Sequence, residues 1–75
     1  SGLHARNALQ IARAAEEYQC SIKVSSGGKT ANGKQVLSLI SLAAKKGAEL
    51  AFSLEGEDEE EALKHITEFI KNLKQ

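Results

Sequence analysis

Proline is absent from the 75 residues, cysteine occurs once, and aromatic side chains occur only as Tyr18, Phe52 and Phe69. A lone cysteine cannot form an internal disulfide, and the partners of a cysteine-based metal site are missing. Cys20 is therefore expected as a small, half-buried residue at the start of a strand. No apolar run is long enough to span a bilayer, and no charged-then-apolar leader opens the sequence. A cytoplasmic protein is expected, or a piece of something longer. With so few rings to stack on bases and with its cations dispersed, the chain makes a poor nucleic-acid binder.

Net charge is also absent, at +0, but the two signs are segregated. Residues 1–47 carry seven Lys and Arg against Glu16 and Glu17, whereas residues 48–75 carry Lys64, Lys71 and Lys74 against eight acids. The basic part can meet an acidic protein surface. A chain of 75 residues makes one domain, expected over residues 1–75, with a modest core and a shallow surface site.

What is present is a clear order of elements. Ala8, Ile11, Ala12 and Ala15 recur at helical spacing, so a helix is expected over 8–17, with Leu9 widening its stripe. Glu16 and Glu17 at its carboxyl end oppose the helix dipole. Ile22 and Val24 mark a strand over 20–26, and Gly27-Gly28 marks a hairpin turn into a short second strand. The apolar-rich stretch 35–43 reads as a short helix, part core and part exposed contact surface, stopped by Lys45-Lys46-Gly47. A strand follows over 48–54, with Leu50, Phe52 and Leu54 on one side. Gly56 breaks it, Asp58 and Glu61 have capping-box spacing, and the last helix shows Ala62, Ile66, Phe69, Ile70 and Leu73 on one face, flanked by Leu63. The expected architecture is an α+β two-layer sandwich, an antiparallel sheet covered on one face by three helices.

The residues that can carry chemistry are Gly2-Leu3-His4-Ala5-Arg6, just before the first helix. A helix start offers free N–H groups and the positive end of the dipole, which together receive anions. An unprotonated imidazole nitrogen, a form available near neutral pH, is a nucleophile there. Arg6 can fork onto phosphoryl oxygens, and Gly2 lets the backbone bend so that the ring stays accessible. The plainer reading is an ordinary surface histidine beside an arginine. His65 reads as a surface helix residue, and His4 and His65 make no metal motif.

That pentapeptide resembles the active-site motif of HPr, the histidine phosphocarrier of the bacterial sugar phosphotransferase system. The resemblance continues through the Gly27-Gly28 hairpin, the segment from Ala31 to Leu39, and the Glu55-Gly56-Glu57-Asp58-Glu59 start of the last helix. It implies a four-stranded antiparallel sheet with three helices. It also implies a phosphoryl group accepted on His4 from enzyme I and donated to IIA proteins, with Arg6 assisting. Ala5, Arg6 and Asn7 become the phosphate-binding residues. Independently of the resemblance, the apolar Val36, Leu37 and Ile40 are the candidate docking surface together with the first helix, and no cofactor and no metal are expected. Such a protein is a carrier, substrate and donor for phosphotransferases, rather than a free-standing enzyme.

Three departures qualify this expectation. Asn7 stands where the family usually has proline, which predicts a less preorganised site. Gln35 stands at the position of the regulatory serine, so serine-kinase control is not expected, and Ser38 and Ser41 do not match that position. The family's first strand has no counterpart in these residues, which leaves the 48–54 strand with an unpaired edge, either because a segment is omitted or because another chain completes the sheet. Two alternatives follow: a regulatory docking module without transfer, or a nitrogen-related relay with other acceptors.

Overall fold

Alanine sets how closely the first helix lies on the sheet. In the computed structural model, which describes residues 4–45 and 48–72, α1 (Ala5–Glu16) buries Ala8, Ile11, Ala12 and Ala15 along one side. Ala8 and Ala15 are fully covered, so these short side chains bring the helix backbone near its neighbours. The helix begins three residues ahead of the expected 8–17, directly after His4. Leu9 does not widen the buried stripe. It is 41% exposed, because it lies about 100° round the helix from Ala8. At the carboxyl end, where Glu16 and Glu17 oppose the dipole, Lys34 Nζ donates to the Tyr18 carbonyl at 2.6 Å and brings a cation to the negative pole.

The sheet is built around β1 (Ser21–Ser26), with β2 (Lys29–Asn32) antiparallel on one side. Gly27 and Gly28 join them at φ 57° and 83°, a pair of left-handed residues that only glycine accepts without strain. On the other side β3 (Ala51–Glu55) pairs antiparallel, with Ile22 opposite Leu54 and Val24 opposite Phe52. The strand order is β2-β1-β3. Ile22 and Val24 are buried while Ser21 and Lys23 face solvent, so one face of the sheet is covered. The expected strand over 48–54 is shorter and later, because its pairing with β1 starts at Ala51 opposite Ser25. Its alternation holds, with Leu50, Phe52 and Leu54 half-buried and Ala51 and Ser53 exposed. As expected, β3 lies at an edge of the sheet.

The second helix, α2 (Val36–Ile40), is only part of the expected 35–43. Gln35 is extended at its start, and Ala43 adopts φ 53°, a left-handed conformation that ends the helical path before the expected Lys45-Lys46-Gly47 stop. Lys46 and Gly47 lie outside the described residues. Leu39 and Leu42 enter the core beside Ala8, Ile11 and Val24. The third helix, α3 (Glu59–Lys71), buries Ala62 and Ile66, with Phe69 and Ile70 half-buried and Leu63 46% exposed. Leu73 lies outside the described residues.

Asp58 does not close a capping box with Glu61. It occupies the N-cap position of α3, but its carboxylate leaves its own helix. Asp58 Oδ2 accepts the Gln19 N–H at 2.8 Å, and Oδ1 accepts the Cys20 N–H at 2.9 Å. Glu59, the first residue of α3, reaches back with Oε1 to accept the Gly56 N–H at 2.9 Å. The two donated N–H groups, that of Gln19 above all, hold the Asp58 carboxyl below the usual carboxylate range. Cys20 is fully buried rather than half-buried, at 1% exposure. Burial, with Asp58 beside it, pushes its thiol up. Gly56 sits at φ 149°, and a Cβ there would lie 2.6 Å from Cys20 Cα, so this crossing admits only glycine. Three helices over one face of a three-stranded antiparallel sheet complete the α+β sandwich.

Candidate functional site

The opening of α1 is where the expected chemistry gathers. His4 is the N-cap, extended at φ −120° and ψ 179°, and its side chain is exposed. The first intrahelical bond runs from the Ala8 N–H to the His4 carbonyl at 2.9 Å. The amides of Ala5 and Arg6 therefore precede the ladder and have no acceptor within the helix. No acidic residue stands in the first turn. The positive end of the helix is thus not neutralised from its own sequence. Ala5 and Arg6 are exposed beside the ring.

Asn7 restrains this site in a way the sequence reading did not anticipate. The His4 N–H donates to Asn7 Oδ1 at 2.8 Å, and the two residues stand as a capping box. Asn7 is 7% exposed, the one buried polar side chain among the described residues. Beside the expectation of a looser site stands a hydrogen bond in the place of proline's ring constraint. The spacing of a carboxamide three residues after the N-cap was the signal for it. Gly2, expected to let the backbone bend and keep the ring accessible, lies outside the described residues, as does Leu3.

The structure brings His4, Ala5, Arg6 and Asn7 together on one helical turn, and α2 packs against α1. Of the docking residues, Leu37 is 81% exposed. Val36 and Ile40 are half-buried against the core. The expected mixture of contact surface and core is thus divided among the three. Ser38 and Ser41 are engaged locally: Ser38 Oγ accepts the Asn32 N–H at 2.8 Å, and Ser41 Oγ donates to the Ser38 carbonyl at 2.6 Å. Gln35 is exposed at the start of α2.

A second polar pair lies at the other end of α1, roughly 18 Å along the helix from His4. Tyr18 Oη and His65 Nδ1 share a hydrogen bond of 2.6 Å. Desolvation raises the Tyr18 hydroxyl above its ordinary range, and Glu17 adds to this. Both residues border a shallow groove of about 460 Å³ with Arg13, Glu17 and Phe69. His65 was expected only as a surface residue, and nothing in the spacing of residues 18 and 65 announced their contact. No helix among the described residues is long and apolar enough to cross a membrane.

Comparison with known proteins agrees with this geometry. The family model PTS-HPr, described as the PTS HPr component phosphorylation site, matches residues 1–72. The phosphocarrier protein HPr of Haemophilus influenzae is 40% identical over 73 residues, covering 97% of this chain and 86% of that protein. The phosphocarrier protein HPr of Borreliella burgdorferi is 37% identical over 75 residues, covering 100% of this chain and 87% of that protein. Among solved structures, HPr-C-His from Thermoanaerobacter tengcongensis superposes with a TM-score of 0.88 at 35% identity, over 95% of this chain and 80% of that one. The Bacillus subtilis protein Crh, described as a domain-swapped dimer, gives 0.87 at 32% identity over 100% of this chain and 87% of its own. By fold, by sequence and by the match that spans its helix-opening histidine, the chain belongs to the HPr family of phosphocarriers of the phosphotransferase system.

Proposed function

We propose that this protein carries a phosphoryl group on His4, accepting it from enzyme I and donating it to IIA proteins in the cytoplasm. The observation that carries this reading is the exposed His4 ring at the N-cap of α1, beside amides with no helical acceptor and beside Arg6. In the forward step a ring-nitrogen lone pair attacks phosphorus. The N–P bond forms as the bond to the donor breaks, and that bonding pair leaves with the donor. Donation repeats the step with His4 as the leaving group. Little covalent machinery is needed, so charge placement and in-line access dominate. The amides of Ala5 and Arg6, the helix dipole and the Arg6 guanidinium supply the charge. The exposure of the ring supplies the access.

Leu37, with Val36 and Ile40 beside it, is the apolar centre of the docking surface, since interfaces keep such a centre within a polar rim. Gln35 has no hydroxyl, so a serine kinase finds no acceptor there.

The test is incubation with labelled phosphoenolpyruvate and enzyme I. Acid-labile label on the wild type and none on His4→Ala is the expected result. Label that persists in His4→Ala moves the site elsewhere, and an unlabelled wild type reduces the protein to a docking module.

A further inference from the structure

Asn7 has a stronger role than filling the place of a proline. Three observations converge on it. Its side chain is buried at 7% exposure, while His4, Ala5 and Arg6 around it are exposed. Its Oδ1 accepts the backbone N–H of the very residue that bears the reactive ring, at 2.8 Å. That residue is extended, at φ −120° and ψ 179°, whereas the next residue is already helical. The reversal of backbone direction at His4 aims its side chain at the mouth of α1. The two halves of the His4–Asn7 capping box and the Ala8 N–H bond to the His4 carbonyl hold that reversal from the helix side.

We propose that Asn7 is a positioning residue for phosphoryl transfer. It clamps the His4 backbone so that the imidazole stands over the Ala5 and Arg6 amides, and it withdraws the His4 N–H from the phosphoryl group. Proline presets one dihedral angle and offers no acceptor. A carboxamide instead fixes its target by a directed bond whose anchor is held by the core. The site is thus built as a buried clamp with an exposed working side chain. Reaction rates respond steeply to such placement, since misplacing a reacting group by about 1 Å can cost ~100-fold.

This inference rests on the carrier reading, and the experiment separates the two. Phosphoryl uptake from enzyme I is measured on the wild type, Asn7→Ala, Asn7→Gln and Ile66→Val, all at a temperature where each is folded. Ile66→Val lowers stability far from the site and controls for stability alone. Asn7→Ala is expected to lower kcat by about tenfold to a hundredfold with little change in KM, because the loss is of placement rather than of docking. Asn7→Gln keeps an acceptor that suits this helical position and is expected to recover most of the rate. In parallel, the His4 amide proton, measured by NMR, is expected to exchange with solvent faster in Asn7→Ala. An Asn7→Ala protein that transfers at the wild-type kcat, or one slowed no more than Ile66→Val, overturns the positioning role. A wild type that takes up no phosphoryl group overturns the carrier reading itself.

Discussion

Replacing Ala43 by glycine is expected to stabilise the protein, although the change removes a methyl group and frees the unfolded chain. Ala43 lies just past α2 at φ 53°. A Cβ in the left-handed region crowds the following carbonyl, at a cost of roughly 1–2 kcal/mol. Its methyl is exposed, so deleting it opens no cavity and forfeits little burial. Glycine relieves the crowding but loses more backbone entropy on folding, which returns about 0.4–1 kcal/mol. At the middle of each range the difference is a net gain of about 0.8 kcal/mol. In a domain of this size it should raise Tm by about 2–8 °C. Thermal unfolding followed by circular dichroism, with urea titration to check an unchanged m-value, measures it. A Tm equal to or below that of the wild type refutes the strain at Ala43. Because α2 carries the proposed docking residues, unchanged transfer by Ala43→Gly would place the effect in the fold alone.

Two further expectations follow from neighbouring features. The Asp58 carboxyl is held below its ordinary range by the Gln19 and Cys20 N–H groups. Its contribution to stability is therefore complete above the unfolded-state pKa and is lost as pH falls through the lower folded-state value. Asp58→Asn should unfold at a lower temperature near neutrality and lose less Tm than the wild type on acidification; parallel curves for the two proteins would contradict this. Leu37 and Leu39 are near neighbours in α2 with opposite surroundings, at 81% and 0% exposure. Leu37→Ala should leave stability within about 0.5 kcal/mol while weakening association with enzyme I and IIA proteins. Leu39→Ala should cost about 2–5 kcal/mol in urea unfolding. Equal stability losses at the two positions would deny the division of α2 into core and contact surface.

The elements with strong period were readable from residues alone. The Ala8-Ile11-Ala12-Ala15 stripe, the glycine pair of the hairpin and the alternation through Leu50, Phe52 and Leu54 each report a local backbone preference. The candidate site was placed by its motif, because a histidine at the N-cap and an arginine in the first turn lie together by chain continuity. The boundaries were less legible. Ala43 ends α2 in a conformation its residue type disfavours, so no propensity rule places the boundary there. The partners of Asp58 and of His65 were invisible. Each bond joins positions separated by 38 to 47 residues, and no spacing rule reaches across such distances. Asn7 was a nearer miss: its effect was read from what proline would have done, not from what a carboxamide can reach.

The Asp58 bridge ties the exit of the first helix to the entrance of the last. A single carboxylate grips two successive amides on the far side of the chain. Neither helix end can therefore fray without disturbing the other.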